Sequence, residues 1–203
     1  MVPLALVSDI HGSDDALAAV VAELERAGIE RVICLGDAVQ GGDQPREILD
    51  RLAALGWPVI LGNADAFLLE VPADSPEPLT QGQLDKRDWT LAQLEPAHLD
   101  QIRSFAPTLD VKLDDGLALR AFHASPHSYD DVILPETPDA QVEHLLGGSG
   151  VDVLAGGHTH MQWTRYVDGA LFVNPGSVRD NGAYAIVTGG SIEFRRAVWP
   201  SGS

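Results

Sequence analysis

Three apolar runs in the first 65 residues each stop at a side chain able to bind a metal, and the interval between stops is nearly constant. Asp9, Asp37 and Asn63 lie 28 and 26 residues apart. That interval is about one strand plus one helix with its loops, so a fold that repeats such units brings all three to one edge of a sheet. Pro3 to Val7 is too apolar to alternate and reads as a strand buried on both faces, a kind that presents functional groups just beyond its carboxyl end. The chain there runs Val7-Ser8-Asp9-Ile10-His11-Gly12. A carboxylate and an imidazole two residues apart can face the same ligand.

The units between the stops are helical. Ser13 is placed to cap a helix with Asp14 and Asp15 in its first turn and an apolar face of Leu17, Val20, Val21 and Leu24, stopped by Gly28. Arg31 to Leu35 is a second buried strand, ending in Gly36-Asp37; strand, helix, strand in this order makes a right-handed crossover that sets Asp37 beside Asp9. Pro45 opens a second helix, with Ile48, Leu49, Leu52 and Leu55 on one face and Gly56 at its end, and Pro58 to Leu61 is a third strand leading to Gly62-Asn63-Ala64-Asp65. From 66 to 107 the rhythm breaks. A proline- and acid-rich stretch, Val71 to Pro78, precedes helices near Gln83 to Leu94 and Pro96 to Phe105, which read as an inserted lid or flank within a single domain spanning 1–203. Trp89, Leu91 and Leu94 read as core side chains there.

The second half returns to strands. Thr108 to Leu113 and Leu117 to Phe122 flank Asp114-Asp115-Gly116 as a hairpin, and the second strand delivers His123. Thr137-Pro138 caps and starts a helix, Val151 to Ala155 is a strand ending in Gly156-Gly157-His158-Thr159-His160, and four short strands (162–167, 170–174, 183–188 and 191–196) complete the chain.

Composition sets the outer bounds. With 30 acidic against 13 basic residues the formal net charge is −17, which disfavours nonspecific attraction to nucleic acid or anionic membrane. The single cysteine, Cys34, lies in an apolar run and reads as a buried small hydrophobe, so no disulfide framework is expected. With no membrane span or signal peptide expected, the reading is a cytoplasmic protein. The oligomeric state is left open.

Collected together, the strand ends supply Asp9, His11, Asp37, Asn63, His123, His158 and His160. Imidazoles, carboxylates and an amide oxygen without thiolate suit Mn, Fe, Zn, Co or Ni at a catalytic centre rather than a structural zinc. Seven protein ligands are too many for one such ion, whereas with one bridging carboxylate they divide into two sets of four.

The ordered series DIHG, GD, GN, a lone His and GHTH resembles the calcineurin-like metallophosphoesterase superfamily, and the compact size resembles its small bacterial and archaeal phosphodiesterase branch. The resemblance implies an α/β four-layer sandwich of two packed mixed sheets flanked by helices. It also implies that Asp9, His11 and His160 bind one metal, that Asn63, His123 and His158 bind the other, and that Asp37 bridges. The activity implied is a phosphodiesterase, manganese being the expected ion, that hydrolyses a small organic phosphate or nucleotide through a metal-bridging hydroxide. A phosphomonoesterase, a dinucleoside polyphosphate hydrolase and a non-catalytic protein-binding scaffold on the same fold are the alternatives.

The sequence departs from the common pattern at one position. Many family members place a histidine after the ligand asparagine to assist the leaving group, and here that residue is Ala64. His127 is a candidate replacement acid, its more ordinary reading being a solvated loop side chain. Arg179 is a candidate clamp on a phosphate oxygen, against the ordinary reading of a surface ion pair. Asn174 to Ser177 reads as a rigid turn beside the site, and Asp65 as a residue that orients its own turn.

Overall fold

The computed structural model describes residues 1–71, 78–114 and 116–199. Most of the acidic stretch before the two middle helices, the second residue of the hairpin turn and the last four residues lie outside the described residues. The elements run β1 (Leu4–Val7), α1 (Asp14–Arg26), β2 (Arg31–Cys34), α2 (Pro45–Leu55), α3 (Asn63–Leu69), α4 (Gln81–Gln93) and α5 (Pro96–Arg103) in the first half. The second half adds β3 (Leu109–Lys112), β4 (Ala118–Ala121), α6 (Asp139–Leu146), β5 (Val153–Ala155), β6 (Gln162–Val167), β7 (Ala170–Pro175), α7 (Val178–Asn181), β8 (Ala183–Thr188) and β9 (Ser191–Arg196). No helix among them is long and apolar enough to cross a membrane.

Two mixed sheets form, one ordered β2-β1-β8-β9 and the other β3-β4-β5-β7-β6. β1 shows why the first is central. Its four residues are all buried, Leu4 and Leu6 in the core between the sheets, Ala5 and Val7 in the core beneath α1 and α2. The period of two that usually separates inside from outside here separates one core from another. On the far side, Phe122, Leu154, Trp163 and Phe172 pack against Val142 and Leu146 of α6. The layers are therefore helix, sheet, sheet, helix, as expected.

Some local expectations fail for identifiable reasons. Ser13 stands at the N-cap of α1 but its side chain makes no capping bond. Gln44 does the capping from the neighbouring loop, its Oε1 accepting from the N–H of Asp14 at 3.0 Å and of Asp15 at 3.4 Å. Residues 58–61 form only single parallel bridges, Val59 to Cys34 and Ile60 to Ala106, the partner changing after one residue, and Pro58 has no N–H to extend the ladder. Asn63 is the first residue of a short helix, α3, rather than the tip of a strand. Pro138, not Thr137, holds the N-cap position of α6; the Thr137 hydroxyl instead accepts from Leu134 N–H. Leu91 and Leu94 pack onto the core under α2 as expected, whereas Trp89 is 44% exposed. α4 and α5 pack on α2 and α3, which places the start of α4 beside the strand ends.

Candidate metal centre

Both sheets end at the same place. Beyond β1 and β2 the parallel ladder continues through the loops: Asp9 N–H donates to Gly36 C=O, His11 N–H to Asp37 C=O and Gly12 N–H to Ala38 C=O, all at 2.9 to 3.0 Å. The second sheet does the same where Gly157 N–H donates to His123 C=O at 2.7 Å. Among the bonds that tie the two edges together is one from His158 N–H to Asp9 Oδ2 at 3.1 Å.

Five of the seven expected ligands adopt left-handed backbone, with φ of 54° at Asp9, 47° at His11, 51° at Asp37, 69° at His158 and 59° at His160. For residues with a Cβ this conformation costs roughly 1 to 3 kcal/mol each and persists only where surrounding bonds enforce it. The turn it makes directs these side chains inward instead of letting the strand continue. Close approach finishes the cup. A Cβ at Gly62 would collide with Asp37 Oδ1, and one at Gly157 with Ser8 Oγ.

The ligand-type atoms form two groups, Asp9 with His11 and His160, and Asp37 with His123 and His158, the atoms of each lying within 4.8 Å of one another. Hydrogen bonds at Nδ1 set the ring tautomers. His11 Nδ1 is 2.7 Å from Gln40 C=O, His123 Nδ1 is 2.8 Å from Leu35 C=O, and His160 Nδ1 is 2.7 Å from Asp180 Oδ2. These oxygens accept, so each Nδ1 carries a hydrogen, and each ring in its neutral form turns a bare Nε2 lone pair inward. His11 Nε2 and His160 Nε2 then face each other at 3.1 Å, and His123 Nε2 faces Asn63 Oδ1 at 3.1 Å. Lone pairs opposed at that distance repel unless a proton or a metal ion stands between them.

Asp9 is fully buried, and its Oδ1 has no hydrogen-bond partner although it lies 3.3 Å from His160 Nε2. A buried carboxylate oxygen without a partner is costly, and a metal ion is the partner this donor set fits. Asp37, a member of the second group, also lies close to the first. Its Oδ2 is 3.7 Å from His11 Nε2 and 3.5 Å from His123 Nε2, while Oδ1 is fixed by the Ala64 N–H at 2.8 Å.

Electrostatics without metal follow from the same geometry. Burial pushes Asp37 up, but the imidazoles of His123 and His11 outweigh it and bring its pKa down to about 2. Burial works against charge on His123, yet the Asp37 carboxylate raises it to about 9. His160 also rises to about 9, through its interaction with Asp9 and against burial. His158 is pushed down by burial and by His123. Protons thus occupy part of the cup that cations would fill, and they must leave as metal enters.

The supporting residues were less legible than the ligands. Asp65, fully buried, reaches its own turn through the Gly62 N–H at 3.4 Å, but its shorter bonds, from Ala38 N–H at 3.1 Å and Val39 N–H at 3.0 Å, hold the loop after Asp37; burial and the nearby Asp37 raise it to about 7. Asn174 Nδ2 donates to Gly157 C=O at 2.6 Å and Ser177 Oγ to Asp9 C=O at 2.9 Å, so the Asn174 to Ser177 turn braces both sheets. Asp180 gave no signal in the sequence beyond lying three residues past Ser177, whose hydroxyl accepts its N–H at 3.1 Å. Because Asp180 sets the ring orientation of His160, Asp180→Ala should weaken metal binding by about 10- to 100-fold, measured by competition with a chelating dye.

The two remaining candidates separate. His127 is exposed and lines a second cavity, of 380 Å³, together with His123. The Arg179 side chain makes no ion pair among the described residues, and its Nη1 stands so close to Gly41 that a Cβ there would meet both it and His11 Cβ at 2.8 Å. This is not the surface ion pair of the ordinary reading.

Residues 2–192 match the family model of the calcineurin-like phosphoesterase superfamily domain. The chain belongs to that superfamily. A protein of uncharacterised function from Methanocaldococcus jannaschii is 24% identical over 177 residues, 86% of this chain and 69% of its own length. Among solved structures, a hypothetical protein from Pyrococcus horikoshii aligns with a TM-score of 0.87 at 20% identity, over 99% of this chain and 90% of its own. A metallophosphoesterase from Sphaerobacter thermophilus aligns at 0.79 with 21% identity, over 98% and 89%. At these identities the structural likeness speaks for the fold, and the phosphoesterase's chemistry rests on its own residues.

Proposed function

We propose that this phosphoesterase is a two-metal phosphodiesterase acting on a small organic phosphate or nucleotide. The observation that carries the reading is Asp37, whose Oδ2 stands between two groups of inward-facing lone pairs. Asp9, His11 and His160 with Asp37 would hold one ion, and Asn63, His123 and His158 with Asp37 the other. With nitrogen and oxygen donors only, manganese or a neighbouring divalent transition ion is the expected occupant. Such ions supply positive charge for the phosphoryl oxygens and make water acidic enough to attack at neutral pH.

The chain's own residues supply the rest. Arg179, free of an ion pair and adjacent to His11, is positioned to hold a phosphate oxygen. A water oxygen bonds to phosphorus in line and loses its proton to solvent, the P–O bond to the leaving group breaks, and the leaving oxygen departs with the electron pair as an alkoxide or phenolate that solvent then protonates. Ala64 offers no proton to that oxygen, which favours diesters with a stable leaving group over alkyl monoesters. Local positive charge is sufficient in an acidic protein, since distant charges are screened beyond about 8 Å at physiological salt.

The test is metal content together with hydrolysis of an aryl phosphodiester and the matching monoester. Two ions per chain should bind, a chelator should abolish activity and manganese should restore it, with the diester preferred; saturation at one ion would overturn the binuclear reading, and monoester preference the diesterase one. Affinity should rise with pH up to about 9, because His123 and His160 hold protons below that value and metal must displace them. Arg179→Ala should raise KM about tenfold with a smaller effect on kcat, the loss expected for one charged hydrogen bond. An unchanged KM in steady-state assays would remove Arg179 from substrate binding.

A further inference from the structure

A cavity of 310 Å³ opens directly beside Asn63 and Ala64. It lies where a substituent on a phosphate held at the metal centre would extend. Its wall combines the loop after β2, one face of α3, the start of α4 through Gln83, and the loop carrying Tyr129 and Asp130. Three features of that wall point to one kind of ligand. Gln40 is 8% exposed and its Oε1 has no hydrogen-bond partner, an unsatisfied acceptor that a bound N–H group would relieve. Glu70 and Asp130 add two carboxylates, and no lysine or arginine lines the cavity among the described residues. Tyr129, 42% exposed, offers an open aromatic ring, whereas Phe67 already has the Arg87 guanidinium 5.7 Å above its ring. Arg179, the cation near the centre, stands beside His11 and not in this wall.

We infer that this cavity receives one alcohol group of the phosphodiester and selects an alcohol that bears a primary ammonium. Gln40 Oε1, Glu70 and Asp130 accept from its N–H groups, and the Tyr129 ring adds attraction for the charge. The same carboxylates repel an alcohol that carries a further anion. The inference rests on the diesterase reading, so its test keeps the reaction constant and varies only the group in the cavity.

Three p-nitrophenyl phosphodiesters serve, with 3-aminopropyl, propyl and 2-carboxyethyl as the second ester group. All release the same phenolate. The kcat/KM values of the manganese-loaded enzyme should fall in the order amine, alkyl, carboxylate, with roughly tenfold between the extremes at low salt and less at high salt. Glu70→Gln and Asp130→Asn should each shrink the amine-to-carboxylate ratio about threefold, and Glu70→Lys should invert the order. Equal values across the series, or ratios untouched by these substitutions, would overturn the inference. Should none of the three release phenolate, the diesterase reading itself fails, and calorimetric titration of the same compounds decides the cavity separately. Tightest binding of the amine would then support it, and equal affinities would overturn it.

Discussion

Asp37→Asn should reduce turnover at saturating manganese by at least about 100-fold, more than any substitution of a ligand confined to one half of the centre. Removing a residue that merely orients a ligand already costs 10- to 100-fold, and on the two-metal reading proposed above Asp37 serves both halves. Its Oδ1 is held by the Ala64 N–H at 2.8 Å, so the amide cannot turn freely to compensate. If Nδ2 takes the inner position, a donor replaces the acceptor that faces His11 and His123. Ion content should fall below two per chain, while far-ultraviolet circular dichroism stays unchanged. His11→Ala, by contrast, leaves the group of Asp37, His123 and His158 complete. If Asp37→Asn turned over substrate faster than His11→Ala in parallel assays, Asp37 would not be the shared ligand.

The second large effect concerns proton supply to the leaving oxygen. General acid assistance is typically worth ~10²- to 10⁴-fold for a basic leaving group and little for a phenolate. With alanine at 64, log turnover should therefore drop steeply as leaving-group pKa rises. Ala64→His should flatten the plot by improving alkyl substrates selectively, with ion content checked. The Ala64 N–H that holds Asp37 survives the change, and Ala64 lines the open cavity, so the ring has room. A flat plot in the unsubstituted protein would mean that another acid already serves. His127 lines the neighbouring cavity with His123, and His127→Ala would then have to restore the slope.

Neither of these predictions depended on tertiary structure for its choice of residue. The two-faced burial of β1, the helix faces of α1 and α2, and the placing of Asp9, His11, Asp37, His123, His158 and His160 just beyond strands are written in the chain, because apolar periodicity and strand-helix spacing are local properties. The even spacing of Asp9, Asp37 and Asn63 is a consequence of repeating units, and a reader of the sequence recovers it without coordinates. What holds these ligands in place is different in kind. Gln44 capping α1, Asp180 orienting His160 and Asp65 holding the loop after Asp37 are single polar side chains meeting backbone or ring atoms from distant parts of the chain. No period or motif marks them, since each acts through contacts made across the fold. Arg179 shows the division most plainly. Its residue type suggested a surface ion pair ahead of a phosphate contact, and only the tertiary structure set its guanidinium near Gly41 and His11, with no carboxylate paired to it among the described residues. Composition gave the chain a large excess of negative charge, but tertiary structure alone decided where the positive charge would stand.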